Sequence, residues 1–187
     1  MYNILFNKFK LYVEKIIFSF LICFIIFNTA SSQSLFKSEK YKFHIRYPEN
    51  WECYKGENEH LAFEIINDDN ANINIVVYED ESLIGRTIDE IGIDNYIASI
   101  SKSMKSKYSA FEVLEYYITY LDNQTAYYLM AKCTNKTLNF IYHYGVIIYQ
   151  TFKGNSVYTI TAGVDNEYFN YYKPIFINII STFVFEE

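Results

Sequence analysis

The stretch Phe43-His44-Ile45-Arg46-Tyr47-Pro48-Glu49-Asn50-Trp51 has the two-residue period of a strand with one face in a core. Phe43, Ile45 and Tyr47 fall on one side, His44 and Arg46 on the other. Pro48 then removes the amide hydrogen that a ladder would use next, so the strand runs into a turn at 48–51. Pro48 is expected to turn the chain and Trp51 to plug the core rather than to bind anything.

Downstream, 61–66 and 72–78 read as two more strands. The polar run Asn67-Asp68-Asp69-Asn70 joins them, and Ile73, Ile75 and Val77 should face the core. Thr87 with Glu90 forms a capping-box signature, and Ile93, Tyr96, Ile97, Ile100 and Met104 recur at helical spacing, predicting a helix over 88–105. Four strand-like runs follow at 111–121, 125–133, 138–151 and 156–164. Their connections are too short for parallel crossovers, which predicts an antiparallel meander. Two runs are apolar on both faces, as central strands covered on both sides are. One cover is the helix just named. The other is a C-terminal helix with Pro174 in its first turn and Phe176, Ile179 and Ile180 on one stripe. The expected fold class is α+β, an α/β/α sandwich around a mostly antiparallel sheet.

Upstream, Ile16 to Phe27 is an apolar run preceded by Lys8, Lys10 and Lys15 and followed by Asn28-Thr29-Ala30-Ser31-Ser32. This is the pattern of a secretory signal peptide, with cleavage before Gln33. Twelve helical residues span about 18 Å, short of the roughly 30 Å hydrocarbon core, so an uncleaved anchor is the weaker alternative. The organisation read from the chain is therefore a signal peptide at 1–32 and a single domain at 33–187, in an exported protein, periplasmic or secreted.

The 187 residues carry a net charge of −6. Loss of 1–32 removes three Lys and one Glu, leaving 13 basic against 21 acidic residues, a net −8. That balance, with no basic run, argues against nucleic acid and anionic membrane as partners, and leaves the membrane only through an uncleaved leader. Cys53 and Cys133 remain after cleavage. They read either as two separate thiols or as a disulfide closing an 80-residue loop, worth on the order of 4 kcal/mol.

Chemistry is sparse. No G-x-S-x-G elbow, Walker spacing or paired His/Cys ligand set occurs, and His44, His60 and His143 stand singly. Asp68, Asn70, Asn72 and Glu79 approach the ligand spacing of a calcium loop, but Ile73 stands where the sharp turn needs Gly. No catalytic, cofactor-binding or metal residue is assigned, and no cofactor. Tyr116 and Tyr117, beside the turn at 122–124, are candidates for exposure among the many core tyrosines.

Phe43-x-Ile45-x-Tyr47-Pro48-x-x-Trp51, one long middle helix, a meander and a closing Pro174-Ile175-Phe176 helix leading to Ser181-Thr182-Phe183 together resemble the PsbP-like superfamily over 35–187. Its branches include the photosystem II extrinsic proteins, the Ran-release factors of nuclear transport and DcrB-type bacterial envelope proteins; the envelope branch suits the leader best. The resemblance implies the same α/β/α sandwich, no enzymatic activity and a docking or accessory role. The expected partner is an unidentified envelope protein. The alternative is a small-ligand binder or degenerate enzyme with a pocket between the sheet and the 88–105 helix.

Overall fold

A computed structural model of the chain describes residues 32–54 and 60–186; the leader expected at 1–32 lies outside them except for Ser32. The strands are β1 (Gln33–Ser38), β2 (Phe43–Pro48), β3 (Glu52–Tyr54), β4 (Leu61–Ile66), β5 (Asn72–Glu79), β6 (Ala110–Leu121), β7 (Gln124–Lys136), β8 (Ile141–Lys153), β9 (Ser156–Asp165) and β10 (Val184–Phe185). The helices are α1 (Ile93–Lys107) and α2 (Phe169–Ile180). A seven-stranded sheet runs in the order β3-β4-β5-β9-β8-β7-β6, antiparallel at every pairing. The two chain ends of the domain form a separate small sheet, β1-β2-β10.

The meander follows from its turns. Asp122 and Asn123 both take positive φ, 45° and 62°, the backbone twist that a two-residue hairpin needs, and Gly154 does the same at 66° between β8 and β9. The central strands bury both faces. On one face Tyr128, Ile147, Tyr149, Tyr158 and Ile160 join Phe176 and Ile179 of α2 and Phe36, Phe43 and Ile45 of the small sheet in one cluster. On the other, Leu129, Ala131, Cys133, Val146 and Ile148 receive Ile97, Ile100 and Met104 of α1. A helix on each side of an antiparallel sheet is the expected α+β sandwich, with the small sheet sharing the α2 side.

Trp51 is buried, edge-on to Tyr172 and Phe176, and its N–H donates to the Pro48 carbonyl at 3.0 Å, so the turn does plug the core. Three expectations are corrected. The capping box at Thr87 and Glu90 is real but caps a 3-10 turn at Ile88–Glu90; α1 begins only at Ile93, after Gly92 at φ 74° breaks the helical path. Pro174 sits in the interior of α2, not its first turn, because the helix starts at Phe169; the proline forgoes one backbone hydrogen bond in a helix held by its buried stripe. β8 starts at Ile141 rather than 138, since Thr137 and Phe140 close a turn across Leu138 and Asn139 (Thr137 N–H to the Phe140 carbonyl, 2.9 Å). β1 and β3 were not anticipated; they pair in the sheets although neither carries a clear apolar alternation.

The cysteines resolve as separate thiols, Cys53 exposed on β3 and Cys133 buried on β7. Five strand spacings, about 24 Å, separate β3 from β7, far beyond disulfide reach. Burial pushes the Cys133 thiol up to about 11, so it stays protonated at neutral pH.

Tyr96 carries the one orphaned hydroxyl among the described buried side chains, packed against the Tyr127 ring at 5.1 Å. Burial raises its phenol well above the ordinary value. Tyr96→Phe should therefore leave stability unchanged or raise it by up to about 1 kcal/mol, since the hydroxyl is desolvated for no bond. A urea midpoint checks this; a clear loss of stability would mean that the hydroxyl has a partner.

Candidate functional site: an open sheet edge

The three histidines are placed apart. His44 on β2 reaches Glu186 at 3.2 Å, His60 lies against Tyr78, and His143 on β8 meets Thr134 at 3.2 Å. Among the described residues, no three His, Cys, Asp or Glu side chains gather as a metal site would need. The calcium-like spacing is also dispersed. Asn67 accepts the Asp69 and Ala71 amides in a tight turn, and β5 then carries Glu79 about 23 Å from Asn72. Tyr172 ties this turn to α2, donating to Asp69 and accepting from Asn67 Nδ2 at 2.8 Å.

Two clefts open at the same end of the sheet. One, of about 350 Å³, lies between the segment before α1 and the ends of β7 and β8, lined by Arg86, Thr87, Gln124, Thr125, Phe152 and Lys153. Its neighbour, about 280 Å³, shares Lys153 and adds Glu79, Tyr158 and Glu186. In the second, the Ser156 hydroxyl donates to Asn155 Oδ1 at 3.2 Å. The first cleft lies beside the loop that precedes α1.

The most unusual surface is β6. This twelve-residue strand ends the seven-stranded sheet, and no described strand pairs with its outer edge. Natural edges are usually protected by short length, Lys or Pro. β6 is long and contains neither Lys, Arg nor Pro; its charges, Glu112 and Glu115, lie in its first half, and it exposes Leu114, Tyr116, Tyr117, Ile118 and Tyr120. A register shift between Val113 and Glu115 bulges the strand near its start, after which Tyr116, Ile118 and Tyr120 share the α1 face and Tyr117 the other. Tyr117 stacks on Tyr128 at 4.4 Å, Glu115 pairs with Lys173 at 3.6 Å, and the Tyr116 hydroxyl faces Asp94 at 3.5 Å. These contacts hold the rings in place without covering them. Tyr116 and Tyr117 are exposed as the sequence suggested; Leu114, Ile118 and Tyr120 were missed, because alternation in a strand says which residues share a face but not whether that face is covered.

A family model, PsbP, matches residues 31–185. The chain belongs to the PsbP family. The solution structure of cyanobacterial PsbP (CyanoP) from Synechocystis sp. PCC 6803 superposes with a TM-score of 0.65 at 14% identity, covering 84% of this chain and 95% of CyanoP. LpqN of Mycobacterium tuberculosis, described as involved in cell envelope biogenesis, superposes at 0.52 with 10% identity, covering 83% and 91%. At such identities the likeness is one of fold. No curated protein matches the sequence. In this PsbP-family chain, no described helix is long and apolar enough to cross a membrane.

Proposed function

We propose that the chain is an exported, non-enzymatic accessory domain of the cell envelope that docks a protein partner along β6. The observation that carries this reading is the unpaired edge with five exposed large apolar side chains. Such an edge offers backbone donors and acceptors to an extended segment of another chain, with side-chain contacts on alternate positions supplying specificity. The leader sequence and the likeness to LpqN support an envelope setting. A second reading, a small anionic ligand held in the 350 Å³ cleft, is favoured by Arg86 and Lys153 there.

Ile118→Lys with Tyr120→Lys should change stability by no more than about 0.5 kcal/mol, since both side chains point outward, while abolishing partner capture. The measurement is photocrosslinking from position 119 in the native envelope, with and without the two lysines. One specific partner lost on substitution supports edge docking. A crosslink that survives both lysines, or saturable binding of small anions lost with Arg86→Gln and Lys153→Gln, would overturn it in favour of another face or the cleft.

A further inference from the structure

The β7–β8 hairpin ends in a second exposed apolar group, at the opposite end of β7 from the 122–123 turn, about 40 Å away. Leu138 is fully exposed, and Phe140, Ile141 and Tyr142 are exposed beside it. Phe140, Tyr142 and Tyr144 form an aromatic ladder along one face, with centroids 6.1 and 6.4 Å apart. The tip closes its own backbone: the Phe140 N–H donates to Thr137 Oγ1 at 3.2 Å, and the Thr137 N–H to the Phe140 carbonyl at 2.9 Å.

The side of the tip that faces the end of α1 is basic. Ala110 pairs with Thr134, and the Lys136 N–H donates to Ser109 Oγ at 3.1 Å, which sets the end of α1 against the hairpin. Residues 101–110 and 134–143 together hold Lys102, Lys105, Lys107 and Lys136 and no Asp or Glu, in a chain of net charge −6. None of these four lysines is in an ion pair among the described residues. Acidic side chains begin at the hairpin's base, with Glu112 opposite Lys132, Asp165 opposite Tyr144, and Glu167 just beyond Asn166, whose N–H donates to the His143 carbonyl at 2.8 Å.

We propose that this hairpin is a foot on an anionic bilayer: Leu138, Phe140 and Tyr142 enter the headgroup region while Lys105, Lys107 and Lys136 meet lipid phosphates. Aromatic and aliphatic side chains flanked by lysine on the α1 side fit that interface, which is apolar on one side and negatively charged on the other. The two bonds between Thr137 and Phe140 hold the turn in shape, and the headgroup region is polar enough to solvate the remaining peptide groups. A bilayer also suits the convex shape, since the tip projects instead of forming a groove. The sequence shows no basic run because the lysines come from two segments about thirty residues apart, joined only by the β6–β7 pairing. The foot acts whether or not the leader expected at 1–32 is cleaved.

The test uses the full chain carrying Leu138→Trp. The native Trp51 is buried, so the new indole dominates changes at the surface. Vesicles of brominated phosphatidylcholine with phosphatidylglycerol should quench it, and high salt should release it. Lys105→Glu, Lys107→Glu and Lys136→Glu together should weaken partitioning roughly a hundredfold, and Phe140→Ser about tenfold, with unchanged urea midpoints. Vesicle binding without quenching at position 138 would mean that the leader alone holds the membrane. Quenching equal on neutral vesicles, or unaffected by the three glutamates, would equally overturn the proposal.

Discussion

Replacing Phe43 by Ala should lower the unfolding free energy by about 3–5 kcal/mol, the cost of emptying a filled aromatic site. Phe43 is fully buried and is the point where the small sheet meets the large one. Its ring stacks on Phe183 at 5.1 Å, lies 5.9 Å from Phe36 and sits edge-on to Tyr158 at 6.4 Å. Phe36 and Phe183 bring β1 and the segment between α2 and β10; Tyr158 brings β9, and its hydroxyl donates to the Tyr41 carbonyl at 2.9 Å. A single alanine therefore loosens three elements at once, and the Phe36 and Tyr158 rings belong to ladders that limit collapse into the space. With roughly 2–4 °C of melting temperature per kcal/mol for a domain of this size, the midpoint should fall by about 10 °C. A loss under about 1 kcal/mol would show that the small sheet is not fastened by this ring.

Gly145→Val should be of similar severity for the opposite reason. A Cβ built at Gly145 would lie 2.2 Å from Cγ of Phe169 and 2.8 Å from its Cβ, closer than packed carbons approach. Phe169 is buried at the first turn of α2, and Gly145 is held in β8 between Lys132 of β7 and Val164 of β9. Neither backbone can retreat cheaply, so overpacking costs about 3 kcal/mol or more, with Ala less damaging than Val. The diagnostic is a cycle with Phe169→Ala, which empties the space the valine needs. The double variant should be more stable than the sum of the two losses implies. Strict additivity would contradict a direct clash.

Much of this architecture is legible before any coordinates. Phe43 and Ile45 are buried because alternation in a strand and burial on one face are the same fact, and Tyr128, Ile147 and Leu129 fill both faces because a strand between two helical covers has no polar side. The stripe of α1 from Ile93 to Met104 is likewise set by helical geometry, although only Tyr96 is fully buried. What escapes is whatever depends on a distant partner. β10 has two residues and exists only by pairing with His44 and Phe43. The Thr87 capping box is satisfied by a 3-10 turn as well as by a helix, so it cannot place the start of α1. Cys53 and Cys133 are an even pair in sequence and five strands apart in space. The candidate docking edge was least legible, since the sequence of β6 resembles that of its neighbours and only the strand order shows that nothing lies beyond it. The lysines at the hairpin escape for the same reason, being assembled by register.

The direct test of docking along β6 is amide hydrogen exchange on the purified protein, alone and in its isolated envelope complex. Edge docking predicts that the outward amides between 114 and 120, fast in the free protein, become protected at alternate residues in the complex, while 85–88 and 153–154 around the cleft are unchanged. Unaltered exchange along β6, with protection appearing at another surface, would contradict it.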